Sequence, residues 1–323
     1  MATAGELKII NRSVIRQTIC AKGTMSKNEL ARETGLSFPT ISRAVDFLVS
    51  KGELLEKGTG NSTGGRCAKL YAVNPLYRVI LSFYLEADEI RWFVSDLTGN
   101  CVEQGKELCS ADILNYIGTL ILRIQARYPQ LGAVAMGIAS IVRDGVVMES
   151  FGYGELRGVN LSAYLHHISG LPSVAEEDMK IVATGFWARC TPPMQAPVCI
   201  YLGKMGIGAC VVLNGHPWHG TSSFAGEAYY LPIEHTLEYT KTHFKNADIA
   251  DYYSKVIRSY IALLNPDRIV LYQDELINDK IDAIRKESAK DLPPEVVPPI
   301  ELSYEFEEDY RKGLFVFGNR LLD

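Results

Sequence analysis

Residues Thr24–Lys51, TMSKNELARETGLSFPTISRAVDFLVSK, constrain the fold more than any other stretch. They read as two short helices joined by a tight turn. Ser26 and Glu29 have the S-x-x-E spacing of a capping box, in which two side chains satisfy free N–H groups at a helix start. Leu30 and Ala31 give that helix an apolar side. Gly35 marks the turn, with Leu36 placed to pack beneath it. Ser37 is a candidate cap for the second helix. Pro39 is tolerated in its first turn, where N–H groups have no intrahelical acceptor. Ile41, Val45 and Leu48 then fall at i, i+4 and i+7, which makes one buried stripe. Thr40, Ser42, Arg43 and Asp46 lie off it. A helix buried on one side that offers Thr, Ser and Arg near its N-terminus suits the DNA major groove, where such side chains reach base edges and phosphates. The plainer alternative is a small helical hairpin.

The segment after the second helix favours DNA. Glu53–Lys57 and Lys69–Val73 read as short strands. Between them lies GTGNSTGGR, Gly58–Arg66, too rich in glycine and hydroxyl groups to pack. Glycines let such a hairpin bend tightly and approach a phosphate backbone, and Arg66 at its end can enter a minor groove. With Leu7–Ala21 as a first helix, stopped by Gly23, the order is that of a winged helix-turn-helix. Asn74-Pro75 closes the wing.

Charge is spread unevenly. Residues 1–75 hold 11 Lys and Arg against 6 Asp and Glu, a net of +5, and the whole chain is at −5, so the remainder carries −10. A basic end on an acidic body fits a nucleic-acid-binding domain attached to something that binds no nucleic acid. Seven cysteines lie scattered with no C-x-x-C, which points to reduced thiols in a cytoplasm. No apolar run approaches the roughly eighteen residues of a membrane span.

From Tyr77 the texture changes. Val79–Leu85, Ile90–Leu97 and Cys101–Leu108 read as strands, Ser110–Tyr128 as a helix, and Ala133–Val142 as a buried strand with Gly145–Met148 beside it. A helix at Leu161–Ser169 and a strand entering VAEED come next. The pattern then repeats. Val198–Gly203 and Ile207–Asn214 are strands, Ala247–Leu264 is a helix and Asp267–Tyr272 a strand. Ile277–Ser288 is a helix, Glu301–Tyr304 a strand and Glu307–Leu322 a last helix. Strand triplets followed by helix–strand units, twice over, predict two related α/β lobes with a cleft between them.

Three segments resemble the repressor branch of the ROK family (repressors, open reading frames and kinases). The first is the winged helix, with GLSFPTISRAVDFLVSKG and the GGR of its wing. The second is VNLSAYLHHISGLPSVAEED, Val159–Asp178, similar to the approach to the family's E-N-D substrate motif. The third is YLGKMGIGACVVLNGHPWHGTSSFAGEA, Tyr201–Ala228, similar to the family's glycine-rich segment ending in G-E-x-G-H. The resemblance implies an α/β fold class: an N-terminal winged helix-turn-helix over residues 1–75, then an actin-like ATPase (sugar-kinase, ribonuclease H-like) two-lobed body over 76–323.

The departures shape the expected chemistry. Where the family's kinases carry a glycine-containing phosphate loop, this chain has YLEADEI, Tyr84–Ile90, with Glu89 where a lysine is expected. Backbone amides need glycine to approach phosphate closely, and a carboxylate there repels it. The glycine pair expected near an adenine is replaced by YQDE, Tyr272–Glu275. The family's zinc cluster of one His and three Cys is missing, and His235 and His243 stand alone. No cofactor, no metal and no catalysis are therefore expected.

In the sugar site the resemblance aligns Glu176 and Asp178 with the motif's Glu and Asp, with Glu177 in place of its Asn. It aligns Glu227 with the Glu of G-E-x-G-H, with Tyr229 and Tyr230 replacing Gly and His. The expected sugar-binding set is Glu176, Glu177, Asp178, Glu227 and Tyr230. The alternative role of Glu176, Glu177 and Asp178 is to cap the following helix, where acidic residues meet the positive end of the dipole. Trp218 either stacks on a sugar or closes its loop. The expected DNA-binding set is Ser37, Thr40, Ser42, Arg43 and Arg66.

The resulting expectation is a cytoplasmic, DNA-binding transcriptional regulator, a repressor of carbohydrate metabolism. Its inactive kinase-like body would sense a sugar or sugar derivative. Its partners would be double-stranded operator DNA, a small sugar effector and a second copy, as a homodimer or dimer of dimers. The alternatives are an active sugar kinase with a DNA-binding appendage, and a regulator with an empty cleft controlled by a protein partner.

Overall fold

Helix α1 (Ala4–Lys22) ends at Gly23, whose φ is +82° and whose N–H bonds to the Ile19 carbonyl at 2.8 Å. Glycine takes that left-handed conformation without crowding a Cβ. The structure, a computed structural model, describes residues 4–59, 68–86, 88–109, 112–150, 152–203, 206–233 and 246–322. After α1 come β1 (Met25–Ser26), α2 (Lys27–Thr34), α3 (Phe38–Ser50), β2 (Leu54–Thr59) and β3 (Lys69–Val73), with the strands ordered β1-β3-β2. The capping box forms: the Glu29 N–H donates to Ser26 Oγ at 3.3 Å, and the Ser26 N–H donates to Glu29 Oε2 at 2.7 Å. Ile41, Val45 and Leu48 are buried and pack with Ile15, Leu30, Leu54 and Tyr71. The wing's first strand begins one residue later than predicted and runs to Thr59. Its tip, with Arg66, lies outside the described residues.

The first lobe begins with β4 (Val79–Glu86), β5 (Glu89–Asp96), β6 (Cys101–Leu108), α4 (Ile113–Arg127) and β7 (Leu131–Ile138). It continues with β8 (Ser140–Arg143), β9 (Val146–Ser150), α5 (Leu161–Ser169), β10 (Ser173–Glu177) and α6 (Asp178–Arg189). Its sheet runs β10-β7-β4-β5-β6. The second lobe has β11 (Pro197–Gly203), β12 (Gly206–Leu213), β13 (His216–Pro217) and α7 (Asn246–Leu264). It closes with β14 (Arg268–Tyr272), α8 (Ile281–Ala289), β15 (Ile300–Ser303) and α9 (Phe306–Arg320). Its sheet runs β13-β12-β11-β14-β15. The two orders are the same arrangement: an antiparallel meander of three strands, extended from its first strand by two parallel ones. The predicted repeat of two α/β lobes is what the chain adopts.

Alternation along β4 shows how the core is shared. Val79, Leu81, Phe83 and Leu85 point toward α4 and α5, while Tyr84 points into the layer between the sheets. That middle layer is filled by α6 and α9. Met179, Ile181 and Phe186 of α6 pack there with Tyr310 and Leu314 of α9. The far end of α9 reaches the winged helix: Phe315, Leu321 and Leu322 belong to the same apolar cluster as Ile15, Ile19 and Val45.

Two sequence readings need correction. Ala133–Val142 is not one strand. It breaks at Ala139: β7 pairs with β4 and β10, whereas β8 leaves the sheet to pair with β9. A continuous apolar run carries no mark for such a break, because both pieces are buried. Helix α6 has no amphipathic period, since Met179 through Phe186 are buried on every side, so periodicity alone does not find it. Among the described residues no helix is long and apolar enough to cross a membrane.

Candidate functional site

The sequence predicts two sites, and the structure gives each a setting. The first is the exposed edge of α3. Gly35, at φ +69°, closes α2 with its N–H on the Ala31 carbonyl, and Ser37 stands at the N-cap of α3. The Ser37 hydroxyl does not cap the backbone as expected; it pairs with Thr40 Oγ1 at 2.9 Å. Arg43 is exposed, with Nε folded back one turn to the Pro39 carbonyl at 3.2 Å. Ser42 Oγ accepts from Lys27 Nζ at 3.0 Å and donates to Asp46 at 3.3 Å, so it ties α3 to α2. Ser37, Thr40, Ser42 and Arg43 therefore share the N-terminal turns of one helix.

The second is a cavity of about 370 Å³ between the lobes. Its floor on one side is the end of β4, with Glu86, and on the other the glycine-lined turn of β11 and β12. Gly208 lines it, and a Cβ there would press on Met179. Gly226, at φ +102°, lies against the Ala209 carbonyl, where no Cβ fits. This close approach turns the chain inward and delivers Glu227 to the cavity. The first turn of α6 supplies Asp178, and the first turns of α9 supply Phe306 and Tyr310.

Of the five predicted sugar residues, the structure brings Glu177, Asp178, Glu227 and Tyr230 to this cavity. Glu176 is the correction. Strand alternation turns it away from Glu177, and its Oε2 meets His219 Nε2 at 2.9 Å. Neither Glu176 nor Glu177 caps α6 through its side chain; Glu177 contacts Lys180 instead. Trp218 does not line the cavity and is 51% exposed.

Burial dominates the electrostatics. It pushes the Asp178 carboxyl up to about 7, helped by the neighbouring Glu227 and Glu86 and opposed by the Met179 N–H, which donates to Oδ1 at 2.6 Å. Burial likewise raises Glu227, against the pull of Lys180. Burial works against the Lys180 charge too, yet the Glu177 carboxylate in contact with it keeps that amine above its ordinary value. Lys180 Nζ also donates to the Ser223 carbonyl at 3.1 Å.

The carboxylate that this hairpin brings to the cavity is not Glu89. Glu89 is paired on the sheet surface with Arg91 at 2.8 Å and Lys106 at 2.6 Å and does not line the cavity. The carboxylate that lines the cavity there is Glu86. Aromatic rings fill the layer behind it. Tyr201 and Phe306 stack at 3.9 Å, Phe306 meets Tyr272 edge-on at 5.3 Å, and Tyr84 stacks on Tyr310 at 4.0 Å. Tyr272 is buried, with its hydroxyl on Asp309 at 2.7 Å. Glu86, Tyr201, Phe306 and Tyr310 are the cavity residues that sequence reasoning missed. The one available signal was the i, i+4 spacing of Phe306 and Tyr310. Among the described residues no group of three or more His, Cys, Asp or Glu side chains could hold a metal, and His235 and His243 lie outside them.

Comparison with known proteins finds two family matches in the chain. Residues 12–52 match the winged helix-turn-helix DNA-binding family, and residues 88–239 match the ROK family. Curated relatives include the xylose repressor of Bacillus spizizenii, 21% identical over 71% of this chain, and that of Caldicellulosiruptor bescii, 25% identical over 70%. The alignments cover 62% and 59% of those proteins, so the chain spans about three fifths of their length. Among solved structures, a ROK family transcriptional regulator described as a homologue of the E. coli MLC protein superposes with a TM-score of 0.72. It is 16% identical, and the match covers 96% of this chain and 98% of that one. A ROK hexokinase from Thermus thermophilus superposes on 73% of this chain, and on 97% of its own, with a TM-score of 0.59 and 13% identity. The fold is an N-terminal helix-turn-helix on a sugar-kinase-like, actin-like ATPase body.

Proposed function

We propose, from a ROK family domain carried behind a winged helix-turn-helix, that the protein is a sequence-specific transcriptional repressor whose body senses a sugar or sugar derivative and transfers no phosphate. Residues 1–75 would read DNA through Ser37, Thr40, Ser42 and Arg43 on α3, and through Arg66 on the wing. Residues 76–323 would hold the effector, with Glu177, Asp178, Glu227 and Tyr230 as hydrogen-bonding partners. Two copies would read two half-sites, as symmetric operators require.

The observation that carries this reading is the path of α9. Phe306 and Tyr310 at its start line the cavity, while Phe315 and the following Leu321 and Leu322 join the apolar cluster in which the winged-helix core meets Ile80, Leu97 and Ala133 of the first lobe. A ligand that closes the lobes shifts the start of α9, and a rigid helix passes the shift to its other end. Differential affinity for the closed state then sets the spacing of the two DNA-reading domains. The xylose repressors among the relatives support a pentose or hexose derivative as effector. Asp178 is suited to accept hydroxyl hydrogens once ionised, and such charge-assisted bonds are about twice as strong as neutral ones.

The test selects operator DNA from random oligonucleotides and follows its release during sugar titration. An affinity between micromolar and millimolar is expected, about 4–8 kcal/mol. Asp178→Ala and Glu227→Ala should each abolish release while leaving unliganded operator binding intact. Normal release in both variants would remove the cavity from the mechanism.

A further inference from the structure

Among the described residues, the cavity wall carries more negative charge than a neutral polyol can use. Four carboxyl groups face it, from Glu86, Glu177, Asp178 and Glu227, and among the described residues no Lys, Arg or His lines it. Lys180, buried behind Glu177, is engaged by that carboxylate and by the Ser223 carbonyl, so it offsets one of the four. The remaining three converge from different elements: the end of β4, the start of α6 and the turn after Gly226. Mutual repulsion among desolvated carboxylates is relieved by taking up protons or by a cation, and a neutral polyol supplies neither.

The rest of the wall suits the same ligand. Tyr201 and Phe306 present stacked rings beside Glu86, and the Tyr201 hydroxyl points to Glu86 Oε1 at 3.5 Å. Tyr229 and Tyr230 stand at the wall with half-exposed rings, packed edge-to-face at 5.3 Å. Aromatic faces are negative and attract ammonium groups. Tyr310 lines the cavity, and its hydroxyl, buried beside Gly137, has no hydrogen-bond partner among the described residues. A buried hydroxyl without a partner is uncommon in a folded protein. At about 370 Å³ the space takes a ligand of monosaccharide size.

We propose that the effector is a cation: a sugar-sized polyol bearing a free amine, with its ammonium held by Glu86 and the Tyr201–Phe306 rings and its hydroxyls by Asp178 and Glu227. The proposal rests on the reading of this cavity as the effector site and adds the ligand's charge. A phosphorylated sugar meets three carboxylates and is excluded. N-acetylation removes the charge and with it the pairing to Glu86.

Calorimetry on the full chain tests this with glucosamine, glucose, xylose, N-acetylglucosamine and glucosamine 6-phosphate, below the pKa of the amine. Glucosamine should bind at least about tenfold more tightly than each of the others. Glu86→Gln should lower the glucosamine-to-glucose affinity ratio about tenfold, and Phe306→Leu, which keeps the site apolar, should lower it as well. Equal or tighter binding of glucose, xylose or the phosphate ester, or no glucosamine binding, overturns the proposal. If a neutral sugar wins and Asp178→Ala abolishes its binding, the cavity reading stands and the charge inference fails. If glucosamine binds unchanged in both Asp178→Ala and Glu86→Gln, the cavity reading itself fails.

Discussion

Gly313 of α9 lies so close to the Ile181 carbonyl of α6 that a Cβ on it would overlap the oxygen. The relation is reciprocal, since a Cβ on Gly185 would overlap the Asp309 carbonyl. These two helices fill the layer between the sheets, and both begin at the cavity. Asp309, fully buried, fixes the crossing by accepting from the Arg189 guanidinium and the Tyr272 hydroxyl.

Gly313→Ala should therefore force the two helices apart. Overpacking of this kind costs about 1–3 kcal/mol when side chains can yield, and a backbone carbonyl yields less. A loss of about 3 kcal/mol is expected in urea denaturation of the ligand-free chain. An unchanged midpoint would contradict the close crossing.

On the DNA side, Arg43→Ala should weaken operator binding by about 1–3 kcal/mol, measured by fluorescence anisotropy at physiological salt. Arg66→Ala should weaken it too, most on sites with an A/T-rich flank, where a narrow minor groove attracts arginine. Parent-like binding by both variants would remove these residues from the DNA interface.

The protein should release no ADP from ATP in the presence of glucose, xylose, fructose, N-acetylglucosamine or N-acetylmannosamine. Glu86 lines the cavity at the end of β4, and the Tyr201–Phe306 stack stands beside it. Neither gives backbone amides access to a phosphate. Sugar-dependent ADP release that disappears in Asp178→Asn would restore the kinase alternative.

Asp178 should make ligand-free stability depend on pH. The groups that face it are Glu227, Glu86 from β4, Lys180 on its own helix, Tyr201 from β11 and Tyr310 from α9. Its folded-state value is about 7 against an ordinary 3.8. Between those values the unfolded chain has released a proton that the folded chain keeps, so stability falls as pH rises through the window. Glu227, also raised by burial, adds to the same slope. Asp178→Asn should melt above the parent at about pH 8, with the gap closing toward about pH 4. A parent that melts higher at the alkaline end would show that Asp178 is not desolvated.

The sequence by itself determined the winged helix and the repeat of two lobes. Both are local signals. The Ser26–Glu29 capping box, Gly35 and the Ile41–Val45–Leu48 stripe each act within a few residues. The strand triplets show in short apolar runs bounded by turns. Much of the cavity was legible too, because Glu177, Asp178 and Glu227 lie in segments with recognisable order.

The tertiary structure decided the rest, because it depends on what lies across a gap in the chain. Glu176 and Glu177 are neighbours in sequence, and only the strand's pairing turns one to His219 and the other to the cavity. Glu86, to which the sequence reading assigned no role, lines the cavity, while Arg91 and Lys106 hold Glu89 on the sheet surface. The stacking of Phe306 on Tyr201 joins residues more than a hundred positions apart. Side-chain direction and long-range partners are set by packing between elements, which local pattern does not carry.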